Sequence, residues 1–339
     1  MARYPSNPYS RQKWIYLISA LLVVFVVIAI IYNYRHSSKS EVKTDSPVIE
    51  TNVGDKTAAS EQSAPAAEKQ SISLAEIASS LPSEPNSKAA ELINNAVTAL
   101  SASPANIIDA REKLNEALQI PMSSQQLMFV KERLSELADT WLFSRKYFPQ
   151  DQLCSSYKVE SGEQLRTIGK KFNVPYEILM EINGISKPEA LRAGETIKVI
   201  NGPFHVRVYR STFTMDLYLQ NTFVRSFPVG LAGATYETPT GLWVVKKDGK
   251  LISPTWTDPD TGKIYEAENP DYPLGSRWIA LEGVKGDAVG RTGFAIHGTK
   301  DKDSIGKASS RGCIRLYNGN VLLLYNLLMP GVSQVEVVE

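Results

Sequence analysis

The sequence predicts a mostly-β C-terminal domain, a sandwich or barrel, over residues 203–339, with smaller units before it. Three observations carry this. Apolar residues alternate with polar ones, with β-branched and aromatic content, in "HVRVYRS", "TMDLYLQ", "TFVRSFPVG" and "SQVEVVE". Residues 155–201 read instead as strand, helix, helix, strand. Upstream of 150, apolar residues recur at the three- and four-residue spacing of helices.

The whole chain has 339 residues, 43% of them hydrophobic and 22% charged, which is room for two or three domains. A net charge of +1 gives no electrostatic ground for a nucleic-acid partner. Two cysteines exclude a disulfide framework and a multi-cysteine metal site, and no metal or cofactor is expected. Cys154 falls in an expected linker and Cys313 in a patterned segment, so a bond between them is the less favoured reading.

In chain order, "WIYLISALLVVFVVIAIIYNY" (14–34) is uncharged and long enough to cross a bilayer as a helix, with Trp14, Tyr16, Tyr32 and Tyr34 near its ends. The apolar run exceeds the core of a signal peptide, and "YNYRHSSKS" offers no cleavage site of the A-x-A kind, so a retained anchor is expected within 1–36. Arg3, Arg11 and Lys13 before it are balanced by Arg35, Lys39 and Lys43 after it, so charge alone does not orient it. Residues 37–70 are small and polar and read as a flexible tether. Three helices are expected within 71–150. The second is placed with Ser103 as N-cap and Pro104 at its first helical position, and the third over 123–144. The region reads as a spacer or partner surface.

In 155–201, Leu165, Ile168 and Phe172 share one helical face, and Ile178, Leu179 and Ile182 another, before the strand "ETIKVI". The segments "SGEQLRTIGKKF", "INGI" and "LRAGETIKV" resemble the LysM module. That resemblance implies binding of N-acetylglucosamine-containing glycans.

The segment "AIHGTKDKDSIGKASSRGCIRL" (295–316) gathers one of two cysteines and one of three histidines. His297 ends a strand and Cys313 follows sixteen residues on, in a glycine turn before another strand. A thiol needs a base or a positive field to become a nucleophile near neutrality, and imidazole titrates in the right range. Sulfur and imidazole are therefore expected within hydrogen-bonding reach at an accessible sheet rim, with a backbone carbonyl near Gly298 orienting the ring. The bland alternative is an ordinary buried cysteine.

"IHGT…SRGCIRL", with "VGLAGATYETPTGLWVV" and "NPDYPLGSRWIAL", resembles the YkuD-type L,D-transpeptidase signature. It implies Cys313 as nucleophile and His297 as base, with Gly298 and Gly312 shaping the site. Ser310, Arg311 and Arg315 occupy flanking motif positions and are expected to meet substrate. The family usually has a second histidine where Arg311 stands. Arginine cannot accept a proton at working pH, so it is expected to lend positive potential or hydrogen bonds, favouring the thiolate. The residues 248–276 form a long insertion with little regular pattern, a candidate lid carrying Trp256, Tyr265 and Tyr272. Each ring could meet substrate or simply pin the loop.

The resemblance implies acyl transfer between peptidoglycan stem peptides, with D-alanine released. Water as acceptor would give an L,D-carboxypeptidase, and a lipoprotein amine would give protein anchoring. The competing class is a wall-binding protein impaired by Arg311. Anchor, glycan module and acyltransferase together place the C-terminal domains outside the cytoplasmic membrane, in the periplasm or cell wall.

Overall fold

The computed structural model describes residues 87–233 and 235–339. The anchor expected at 14–34 and the tether at 37–70 lie outside them, as does the start of the helical region. Among the described residues no helix is long and apolar enough to cross a membrane.

Three helices open the described chain: α1 (Ser87–Ser101), α2 (Ile107–Ala117) and α3 (Ser124–Trp141). Their apolar stripes meet in one core that includes Leu92, Ile93, Leu114, Leu134 and Trp141. Helix α3 begins with a reciprocal capping box of Ser123 and Gln126. Helix α2 starts later than its sequence suggests. Asn106, not Ser103, is the N-cap, and its side chain accepts from the Asp109 amide at 3.3 Å. Asparagine caps as well as serine, and the Asn106 amide donates to the Ala99 carbonyl at 2.9 Å, closing the turn from α1. Arg111 is buried against Asp151 at 2.8 Å, with its guanidinium 4.4 Å from the centre of the Trp141 ring.

The βααβ unit follows as β1 (Cys154–Lys158), α4 (Leu165–Lys171), α5 (Tyr176–Asn183) and β2 (Thr196–Ile200), with β1 and β2 antiparallel. Cys154 is not in a linker. It opens β1 opposite Ile200, is 1% exposed and is unbonded, and burial pushes its thiol up to about 12. An ammonium joins this unit to the helices. Lys198 of β2 donates to the carbonyls of Trp141 (2.5 Å), Leu142 (3.1 Å) and Ser144 (2.9 Å), which end α3.

The C-terminal domain is one mixed sheet with strand order β13-β11-β10-β7-β14-β3-β4-β5. Its members are β3 (Phe204–Tyr209), β4 (Thr214–Leu219), β5 (Thr222–Pro228), β7 (Gly241–Ile252), β10 (Arg277–Lys285), β11 (Ala295–His297), β13 (Ile314–Arg315) and β14 (Gln334–Val338). The short β6 (Leu231–Ala232) pairs with β12 (Ala308–Ser310). The domain is mostly β, as expected, in the form of a curled sheet: Arg315 of β13 bridges back to Gly230, just after β5, while α6 (Asn318–Leu327) packs on β10 and β11, and α3 on β5. The upstream helices therefore pack on this chain's own sheet. Lys131 of α3 pairs with the buried Asp216 of β4 at 2.6 Å, and Asn115 accepts the Phe223 amide at 2.8 Å. The insertion also has more order than expected. Strand β7 runs on to pair Leu251 with Trp278, and β8 (Trp256–Thr257) and β9 (Ile264–Tyr265) form a hairpin.

Candidate active site

Strands β11 and β13 are parallel neighbours, with Ile296 opposite Ile314 and His297 opposite Arg315. The intervening loop leaves the sheet and returns through β12. Cys313 thus sits immediately before β13, beside the strand that carries His297. Both residues line a cavity of about 770 Å³, together with Trp256, Tyr265, Trp278, Ser310, Arg311 and Arg315.

His297 is 4% exposed. Its Nδ1 lies 2.6 Å from the Gly298 carbonyl oxygen, which can only accept, so the proton of the neutral ring is on Nδ1 and Nε2 carries the lone pair. Burial pulls its pKa down to about 4, and the charge of Arg315 acts in the same direction. The Gly298 and Leu274 carbonyls oppose this by favouring the protonated ring. Trp278 of β10 faces His297 in register and stacks on it, with centroids 5.4 Å apart and planes 14° apart.

The Cys313 thiol is partly buried and donates to the Gly293 carbonyl at 3.7 Å. The expected hydrogen bond between thiol and imidazole is not made among the described residues; the Gly293 carbonyl is the thiol's partner instead. Burial raises its pKa, while the Ala295 amide and the Arg315 charge pull it back. The resting pair is therefore thiol and neutral imidazole.

The turn before the thiol is fixed from both sides. Gly312 has φ +116°, and a Cβ there would lie 2.5 Å from Cε1 of Phe294, so only glycine fits. Thr238 donates to the Gly312 carbonyl at 3.0 Å, and Ser310 to the Cys313 carbonyl at 2.6 Å. Ser310 is thus a brace of the turn, 5% exposed, with its hydroxyl already engaged. Gly298 is as constrained, since a Cβ there would lie 2.1 Å from Asn318 Oδ1.

The two arginines differ. Arg315 is half-buried, donates to Ser309 Oγ at 3.4 Å, and acts electrostatically on both Cys313 and His297. Arg311 is ion-paired with Asp260 in the β8–β9 turn and stands 5.9 Å over the Tyr236 ring. The positive field on the thiol comes from Arg315, where the sequence had suggested Arg311. Among the insertion's aromatic residues, Trp256 and Tyr265 pair at 5.9 Å and line the cavity. Tyr272 does not line it. It is 8% exposed and donates to the Pro254 carbonyl at 2.6 Å, pinning the loop.

Sequence reasoning missed Trp278 and Thr238. Trp278 sits in "RWIALEG", a strand recognised as such, but only the register with "GFAIHG" puts it on His297. Thr238 gave no signal beyond a turn-forming "TPTG". At the βααβ unit, a surface pocket of about 550 Å³ would have been equally invisible; its walls are the α5–β2 loop, from Asn183 to Glu195, and Arg145.

Residues 203–337 match the L,D-transpeptidase catalytic domain (YkuD), and residues 157–199 the LysM domain. A Bacillus subtilis (strain 168) protein named as an L,D-transpeptidase, YkuD, is 29% identical over 183 residues, which is 52% of this chain and 94% of that one. Another from the same strain, YqjB, is 42% identical over 132 residues, covering 38% of this chain and 69% of that protein. A solved L,D-transpeptidase from Mycobacterium tuberculosis H37Rv aligns with 43% of this chain and 63% of its own, at 18% identity and a TM-score of 0.33. The chain thus spans less than two thirds of that structure. The identity to YqjB over most of its length, with the catalytic-domain match over the sheet that holds Cys313 and His297, establishes that the chain belongs to the L,D-transpeptidase (YkuD) family and carries a LysM domain.

Proposed function

We propose that the protein is a peptidoglycan L,D-transpeptidase that uses Cys313 as nucleophile and His297 as base. The observation that carries this is the shared cavity: a thiol and a neutral imidazole on adjacent parallel strands open into one polar and aromatic cleft. In the first step the thiol leaves the Gly293 carbonyl and gives its proton to His297 Nε2. The sulfur bonds to the carbonyl carbon of the third residue of a stem tetrapeptide. The amide C–N bond breaks, and terminal D-alanine departs with the proton from the imidazolium. The backbone amides around Gly312 and Cys313 are suited to hold the transient oxyanion, since Thr238 and Ser310 fix those peptides by their carbonyls. A side-chain amine of a second stem then attacks the thioester, giving a 3→3 cross-link; water in its place gives carboxypeptidase turnover.

The 770 Å³ cavity accommodates a peptide segment, and its charges of both signs suit stem peptides that carry carboxylates and amines. The LysM domain supplies a hold on the glycan strands. Residues 14–34 anchor the chain in the cytoplasmic membrane, with residues 37–339 on the outer side. Arg311 is the ion-pair partner of the insertion, and His297 alone moves protons.

Incubation with purified disaccharide-tetrapeptides, followed by mass spectrometry, tests the reading. D-alanine release with growth of cross-linked dimer is expected, and loss of both in Cys313→Ala and His297→Ala. Glycan retention without turnover in the unsubstituted protein would refute it in favour of a binding protein. Protease protection of the N-terminal tail in intact cells tests the topology.

A further inference from the structure

His297 would be an undirected base if nothing beyond its own strand held it. The Gly298 carbonyl holds one ring nitrogen at 2.6 Å and the Leu274 carbonyl also bonds the ring, but neither covers its face. A second constraint comes from β10. Trp278 lies directly across from His297 in the antiparallel register, and its indole covers one imidazole face at 5.4 Å and 14°. A flat ring stacked this closely restricts tilt and excludes water from that face. Trp278 also lines the cavity, beside His297.

We propose that Trp278 is the positioning residue for His297, holding the imidazole plane so that Nε2 faces the Cys313 thiol and shielding the ring from water. The proposal rests on the reading of His297 as the base. The charged groups near the ring do not perform this task. Arg315 on β13 acts on it from the opposite strand. Lys300 and Asp301 after β11, Asp258 and Asp271 in the insertion, and Arg311 and Cys313 line the same cavity. The stack is the side-chain contact that fixes the ring's orientation.

Two substitutions separate a flat face from mere bulk. Trp278→Phe keeps a ring; Trp278→Leu fills much of the space without one. In the detergent-solubilised full-length chain, labelled at histidine Cε1, three resonances are expected, with that of His297 identified by its loss in His297→Gln. Trp278→Leu should raise the His297 pKa by about one unit towards the ordinary value, as water reaches the ring. It should lower kcat for D-alanine release roughly 10- to 100-fold, with KM little changed. Trp278→Phe should keep both near wild type, and an unchanged His205 resonance reports an intact fold. Unchanged titration and kcat in Trp278→Leu would overturn the proposal, as would equal losses in both variants. If the unsubstituted chain releases no D-alanine while the His297 resonance still responds as described, the catalytic reading fails and Trp278's hold on the ring survives.

Discussion

Replacing His297 by glutamine should change how the protein responds to acid, whatever the reaction it performs. The imidazole is buried at the end of β11, and its pKa falls from 6.5 to about 4. An unfolded chain binds a proton at this histidine as the pH drops below 6.5, whereas the folded chain resists until about pH 4. Stability is therefore full above pH 6.5, falls through that window on acidification, and stops falling near pH 4. The displacement corresponds to about 3 kcal/mol. Glutamine has no such proton, so the difference in unfolding free energy between wild type and His297→Gln should narrow by that amount between pH 7.5 and 4. Urea titrations followed by near-ultraviolet circular dichroism of the sheet's aromatic residues would measure it. His205 titrates in both proteins and cancels. Parallel pH curves would show that the ring is hydrated and titrates normally, which would refute the buried, neutral imidazole on which the site's chemistry depends.

The same comparison of unfolding free energies serves two further substitutions. Arg111→Met strands the fully buried Asp151 carboxylate and should cost about 3–5 kcal/mol, with much of it recovered in Arg111→Met/Asp151→Asn. Lys198→Met removes one donor from three carbonyls at the end of α3 and should cost about 3 kcal/mol. Gly312→Ala forces a side chain into a φ of +116° and against Phe294. It should leave the fold intact by far-ultraviolet circular dichroism while slowing iodoacetamide alkylation of Cys313 at least roughly tenfold, as the turn shifts.

Periodicity made most strands and helices legible, and two rare residue types in one short segment marked the place where Cys313 and His297 line one cavity. What the sequence could not show was register. The alternation in "RWIALEG" marks a strand but not that Trp278 stands opposite His297. The cap of α2 went to Asn106 because two good capping residues lie three apart and only the turn to Ala99 decides between them. Charge identity was legible and its destination was not. Arg311 and Arg315 flank the thiol in sequence alike, yet Arg315 follows the parallel strand beside His297 while Arg311 turns out towards Asp260. Tyr272 had two open readings, and its hydrogen bond to Pro254 decided for the pin.

The Lys198 clasp has a mechanical consequence. One ammonium on three carbonyls fastens the LysM domain to the helices, and those helices lie on the sheet, where Asn326 of α6 also donates to Glu181 of α5 at 3.1 Å. A module tethered this way cannot roam on a leash while the cleft works elsewhere. Under the proposed function, a glycan strand held by the LysM domain would be presented to the cleft at a set span. On that reading, advancing to another stem would require release of the strand.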